Sequence, residues 1–81
     1  MNQKPYQVEA FWEREAQVWV AESEDIPGLV TEADTIEALT AKLRQMIPEL
    51  LQLNHLITIE PQEAITFELI SHRQESIKCA A

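Results

Sequence analysis

Between Asp25 and Leu43 the apolar residues of this chain stop recurring at every second position and begin to recur at every third or fourth. That switch restricts the fold more than any other feature. Period two is the signature of a half-buried strand, and period 3.6 that of an amphipathic helix. The stretch opens on a turn. Pro27 presets φ for the first inner position of a β-turn, and Gly28 accepts the positive φ that a type II turn needs at the second. Leu29, Thr31 and Ala33 then alternate with Val30 and Glu32. Asp34-Thr35-Ile36-Glu37 reads as a capping box, in which Asp34 accepts from a first-turn N–H and Glu37 reaches back to the cap. Thr35 is an equally competent cap one position on. A strand thus ends and a helix begins within a few residues, and the helix must fold back onto the sheet that the strand belongs to. No reactive side chain stands out in this stretch, which favours a binding module over an enzyme.

The flanking segments supply that sheet. Tyr6 to Trp12 alternates Tyr6, Val8, Ala10 and Trp12 against Gln7, Glu9 and Phe11, a strand pattern. Glu13-Arg14-Glu15-Ala16 has the length of a hairpin loop, and Gln17 to Ser23 alternates Val18 and Val20 against Trp19 and Ala21. Helical spacing runs from Thr35 to Leu53, with Ile36, Leu39, Leu43, Met46/Ile47 and Leu50 on one stripe. Pro48 has no N–H for the carbonyl of Arg44 and its ring crowds that turn. This predicts a kink, or a break with Pro48 opening a second short helix. Asn54 suits a left-handed C-cap. For His55 to Gln62 a helix tail, an extended connector and a short strand all fit, and Pro61 stops any regular element. Ala64 to Ser71 alternates again as a fourth strand, and His72 to Ala81 is a polar tail. The expected fold class is α+β, β-β-β-α-β. Its mixed four-stranded sheet has order 3-2-1-4, with one kinked helix on one face reached by a right-handed crossover. All 81 residues then form a single domain with an ordered core over about residues 6–71.

One helical stripe covers only one face of such a sheet. Tyr6, Val8, Ala10, Val18, Val20, Ile65, Phe67 and Leu69 are expected beneath the helix. Phe11, Trp19, Val30 and Ile70 are expected on the open face, among Gln7, Glu9, Glu32 and Glu68. Exposed aromatics on a half-polar face mark a contact surface, so these four apolar residues are candidate partner-binding positions. Charge adds three more. Of the formal net charge of −8, residues 1–37 carry −7, nine acids against two bases. Within this acidic region Glu22, Glu24 and Asp25 crowd one end of the expected meander. Such a field repels phosphate backbones, which argues against direct nucleic-acid binding, and it attracts a basic protein. The single cysteine, Cys79, excludes an internal disulfide and lies without a His or Asn context in the last three residues, where an incidental thiol is expected. With no signal peptide and no membrane-length apolar run, the expected location is the cytoplasm.

Taken together, the strand pair Tyr6–Trp12 and Val18–Ala21, the run S-E-D-I-P-G-L-V-T-E-A-D-T-I-E-A-L from Ser23, and the closing I-T-F-E-L-I-S-H-R resemble the HicB-like antitoxin family. The resemblance is to its short, single-domain members and covers Tyr6 to Asn54 and Ala64 to Arg73. It implies a partial RNase H-like fold and an activity of binding and silencing a small basic RNA-cleaving toxin. Full members of that family add a C-terminal DNA-binding part. Here only about ten residues follow the fourth strand, too few for a two-helix DNA reader.

An RNase H-like sheet raises the question of metal-dependent cleavage, which needs several carboxylates converging on one or two ions. Glu9, Glu32 and Glu68 are scattered among apolar residues and read as solvated sheet-face glutamates. His55 and His72 have no Cys or Asp framing, so no zinc site is expected. The Pro27-Gly28 loop has one glycine among acids and is no phosphate cradle. The sequence therefore leads to a non-enzymatic interaction domain without catalytic residues, metal or cofactor, forming a homodimer or higher assembly and inhibiting a basic toxin in the antitoxin manner. The alternative is an orphan self-associating domain of the same fold with a regulatory role and no toxin partner.

Overall fold

The structure is a computed structural model that describes residues 5–54 and 64–79. The element order is β1 (Tyr6–Glu13), β2 (Val18–Glu22), β3 (Val30–Ala33), α1 (Ile36–Leu53) and β4 (Phe67–His72). The strands form one mixed sheet of order β3-β2-β1-β4, antiparallel except for the parallel pair β1 and β4, as the sequence predicts. Strand limits move by one to three residues, most at the fourth strand, which begins at Phe67 rather than Ala64. The open question over His55 to Gln62 lies outside the described residues.

The hairpin between β1 and β2 decides which residues share a face. Residues 14–17 form its loop, with Gln17 N–H donating to the Glu13 carbonyl at 2.7 Å and Glu13 paired to Val18. This register sets Trp12 opposite Trp19 and Ala10 opposite Ala21. The expected sorting of β2 is therefore reversed. Trp19 and Ala21 lie beneath the helix, 9% and 0% exposed, whereas Val18 and Val20 are on the open face. Both sets of β2 side chains are apolar, so alternation alone leaves them interchangeable. A shift of one residue in pairing would exchange them.

Helix α1 starts at Thr35, whose Oγ1 accepts from the Ala38 N–H at 3.0 Å. Thr35, not Asp34, is thus the N-cap, and the Asp34–Glu37 capping box does not form; Glu37 remains in the first turn, where its charge suits the helix dipole. The helix continues through Pro48 without a second start. Leu39, Leu43, Ile47 and Leu51 are all buried at intervals of four, so the stripe keeps its phase across the proline. Burying Ile47 and Leu51 on either side of it, at about 1.5–3 kcal/mol each, offsets a cost of about 3 kcal/mol for proline inside a helix. At the C-terminus Asn54 has φ −88° and is not left-handed. Its side-chain Nδ2 donates to the Leu50 carbonyl at 2.8 Å and to the Pro27 carbonyl at 3.3 Å.

That second bond ties the turn to the helix. Leu29 N–H donates to the Ile26 carbonyl at 3.2 Å, and Gly28 has φ +83°, as a type II turn requires. The apolar residues flanking the Pro-Gly pair, Ile26 and Leu29, are 0% and 2% exposed. The turn is therefore part of the core, a role its sequence does not announce. Among the described residues the other position with positive φ is Gln17, at 56°, and it is not glycine. The two should respond oppositely to exchange. Gly28→Ala should lower Tm because an L-residue in this region costs about 1–2 kcal/mol. Gln17→Gly should raise Tm, by less, because glycine also gains entropy in the unfolded chain. Thermal unfolding of the two variants checks both signs.

Candidate functional site: the open face of the sheet

Helix α1 lies nearest β3 and β2 and covers one side of the sheet. The other side carries two cross-strand rows. Val30, Glu22, Glu9 and Ile70 form one, and Glu32, Val20, Phe11 and His72 the next. Val30 is 68% exposed, Phe11 37% and Ile70 36%, so three of the four apolar candidates stand where the sequence places them. Trp19 does not. It packs against Trp12 beneath the helix, ring centroids 5.4 Å apart, and the Arg73 guanidinium lies 4.3 Å from the Trp12 ring centroid and 5.9 Å from that of Trp19.

The sequence reading missed three members of the surface. Val18 and Val20 belong to it through the hairpin register. His72 stacks on Phe11 at a centroid distance of 4.9 Å and an interplanar angle of 14°. The signal for His72 was present: a parallel fourth strand beside the first brings its end alongside Phe11.

The acids divide into two groups. Glu13 and Glu15 lie at the hairpin, where Glu13 Oε1 accepts from the Glu15 N–H at 3.0 Å. At the opposite end of β1, Glu9, Glu22, Glu24 and Asp25 border a shallow concavity with Gln7 and Val30. Asp25 has a structural duty there. Its Oδ2 accepts from the Gln7 N–H at 2.8 Å, and the Ser23 hydroxyl donates to the Gln7 carbonyl while its oxygen accepts from the Asp25 N–H at 3.1 Å. Pairing of β1 with β2 ends at Glu9 and Glu22, so Ser23 and Asp25 stand in for the missing ladder at Gln7. Asp25→Ala should accordingly lower Tm by several degrees, and Glu24→Ala should leave it nearly unchanged; parallel thermal melts decide this.

Glu9 and Glu22 face each other directly across β1 and β2. Among the described residues the one salt bridge is Arg73–Glu75, at 3.3 Å, so neither glutamate has a base beside it. Like charges opposite one another in adjacent strands are destabilising, and an incoming cation relieves them. Also among the described residues, no three His, Cys, Asp or Glu side chains are grouped to hold a metal ion, and no helix is long and apolar enough to cross a membrane.

Residues 5–81 match the family described as Domain of unknown function (DUF1902). The chain belongs to that family. It is also similar to a hypothetical protein of the extremely thermophilic bacterium Thermus thermophilus known from a crystal structure. The two are 43% identical with a TM-score of 0.67, over 94% of this chain and 100% of that one. No curated protein matches significantly. In this DUF1902 domain the helix serves one face of the sheet, and the open face offers apolar side chains set among carboxylates that have no ion-pair partner among the described residues.

Proposed function

We propose that this DUF1902 domain acts by protein–protein recognition, as an antitoxin-type inhibitor whose open sheet face holds a small basic RNA-cleaving toxin. The observation that carries this is the Val30–Glu22–Glu9–Ile70 row, in which two glutamates oppose each other with no base beside them among the described residues and are flanked by exposed aliphatic residues. A lysine or arginine from a partner entering between Glu9 and Glu22 would relieve their repulsion. The neighbouring Val20, Phe11 and Ile70 would supply the apolar area that holds the complex. The resemblance to short HicB-like antitoxins supports the choice of partner, and the concentration of negative charge in residues 1–37 supports its sign.

The test begins with the gene's surroundings. A short adjacent reading frame encoding a basic, His-containing protein is the expected partner. Its product, purified alone, should cleave RNA, and one equivalent of this domain should stop it. Val20→Lys with Val30→Lys, both on the open face and away from β4, should abolish the inhibition while far-UV CD stays unchanged. An inhibitor that tolerates this double substitution does not use the open face. Lack of any basic neighbour that binds would favour the orphan self-associating domain.

A further inference from the structure

The sheet has two edges, and they are not equivalent. The β3 edge is four residues long, and Lys42 of α1 places its Nζ 2.6 Å from the Glu32 carbonyl. Short strands and lysines are devices that keep an edge from pairing. The β4 edge is six residues long, contains no proline or lysine, and has no such cap among the described residues. The direction of its free groups follows from one bond. Tyr6 N–H donates to the Thr66 carbonyl at 2.9 Å, so the Thr66 carbonyl points towards β1. Alternation along the strand then turns the N–H and C=O of Glu68 and Ile70 inward to β1, and those of Phe67, Leu69 and Ser71 outward.

We propose that β4 pairs antiparallel with β4 of a second copy of this chain, about a two-fold axis at Ile70, to give a continuous eight-stranded sheet. This reading concerns the β4 edge, which borders the partner-binding face at Ile70 and His72, and it stands without the proposed partner. The self-complementarity of the strand in this register, its charge balance and its half-buried apolar residues select a second copy as the occupant. In this register Leu69 and Ser71 of one copy lie opposite Ser71 and Leu69 of the other, and both have their hydrogen-bonding groups turned outward. On the open face the Glu68 carboxylate meets the His72 imidazole of the second copy, an acceptor facing a donor, and Ile70 meets its own equivalent, so the edge is self-complementary as a two-fold contact requires. Residues 64–79 carry two acids and two bases, so this side of the molecule does not repel itself as the open face would. Phe67 and Leu69 are also only half-buried, because α1 lies towards β3 and β2. A second copy's Phe67 and Leu69 would extend that apolar surface.

The test is oligomeric state with two variants. Sedimentation equilibrium of the wild type should give twice the 9.3 kDa of the chain. Ser71→Pro removes an N–H that faces solvent in the single chain, so it should halve the mass and leave far-UV CD unchanged. Ile70→Cys, in a Cys79→Ser background, should form a disulfide-linked dimer on mild oxidation. Residues opposite each other in a non-hydrogen-bonded antiparallel pair have Cα atoms about 4.5 Å apart, within disulfide range. A wild type that sediments as a monomer at its highest soluble concentration overturns the proposal. So does a dimer that Ser71→Pro leaves intact, or one in which oxidised Ile70→Cys stays unlinked.

Discussion

Trp19→Ala is expected to destroy most of the domain's stability, and Val20→Thr, the very next position, to leave it almost untouched. Trp19 is 9% exposed, stacks obliquely on Trp12 and fills the space between β2 and α1. Truncating a buried tryptophan costs about 3–5 kcal/mol. A chain of 81 residues has only about 4–12 kcal/mol in total, at 0.05–0.15 kcal/mol per residue. Each lost kcal/mol lowers Tm by about 4–8 °C in a domain of this size, so a fall of about 12–40 °C or complete unfolding is expected. Val20 sits on the open face beside Phe11. There a hydroxyl in place of a methyl meets water, and the change should stay within about 0.5 kcal/mol. Far-UV CD melts of the two variants compare them directly. The reverse ranking would mean that β2 presents its other side to the helix, and that the surface described for the open face is misassembled.

Reversing Glu22 and Glu24 to lysine should slow association with a basic partner by an order of magnitude or more. Both residues lie at the acidic end of the sheet, and neither is needed for the backbone bonds that Ser23 and Asp25 make to Gln7. Asp25 is left in place for that reason. Opposite charges at long range act mainly on the rate of encounter, and salt screens them with a Debye length of about 8 Å at physiological ionic strength. The association rate of the wild type should fall steeply as salt rises, and that of the double variant should be nearly flat. Dissociation should change less, because the apolar contacts of Phe11, Val20 and Ile70 are intact. Stopped-flow or surface-based kinetics across a salt series measures each rate. Unchanged association and an unchanged salt slope would reduce the acidic end to a solvated surface and remove the electrostatic support for a basic toxin as partner.

How much of this was legible from the residues depended on whether the relevant signal was local. The type II turn at Pro27-Gly28, the four strands and the long helix follow from spacing and turn chemistry within a few residues, the sheet order from the general rules for connecting such elements, and the structure agrees with them. Phe11, Val30 and Ile70 stand on the expected face because polar residues of the same strand fix it, Gln7 and Glu9 in β1, Glu32 in β3 and Glu68 in β4. Trp19 was misplaced because in β2 they do not: Val18, Trp19, Val20 and Ala21 are all apolar, and only pairing with β1 decides among them. The cap fell to Thr35 rather than Asp34 for a similar reason, since two adjacent residues had equivalent side-chain oxygens.

By itself, then, the sequence determined the order and type of the elements, the position of the turn and the distribution of charge, all properties of neighbouring residues. The tertiary structure alone decided the rest. A four-residue hairpin loop put two tryptophans under the helix and two valines outside it. Packing of the stripe on both sides of Pro48 kept the helix whole where its local chemistry invites a break. The turn residues Ile26 and Leu29 became core because α1 ends above them, with Asn54 bonded to Pro27. Each of these depends on what lies opposite in space, and burial and pairing energies there exceed the roughly 1 kcal/mol preferences that local sequence expresses.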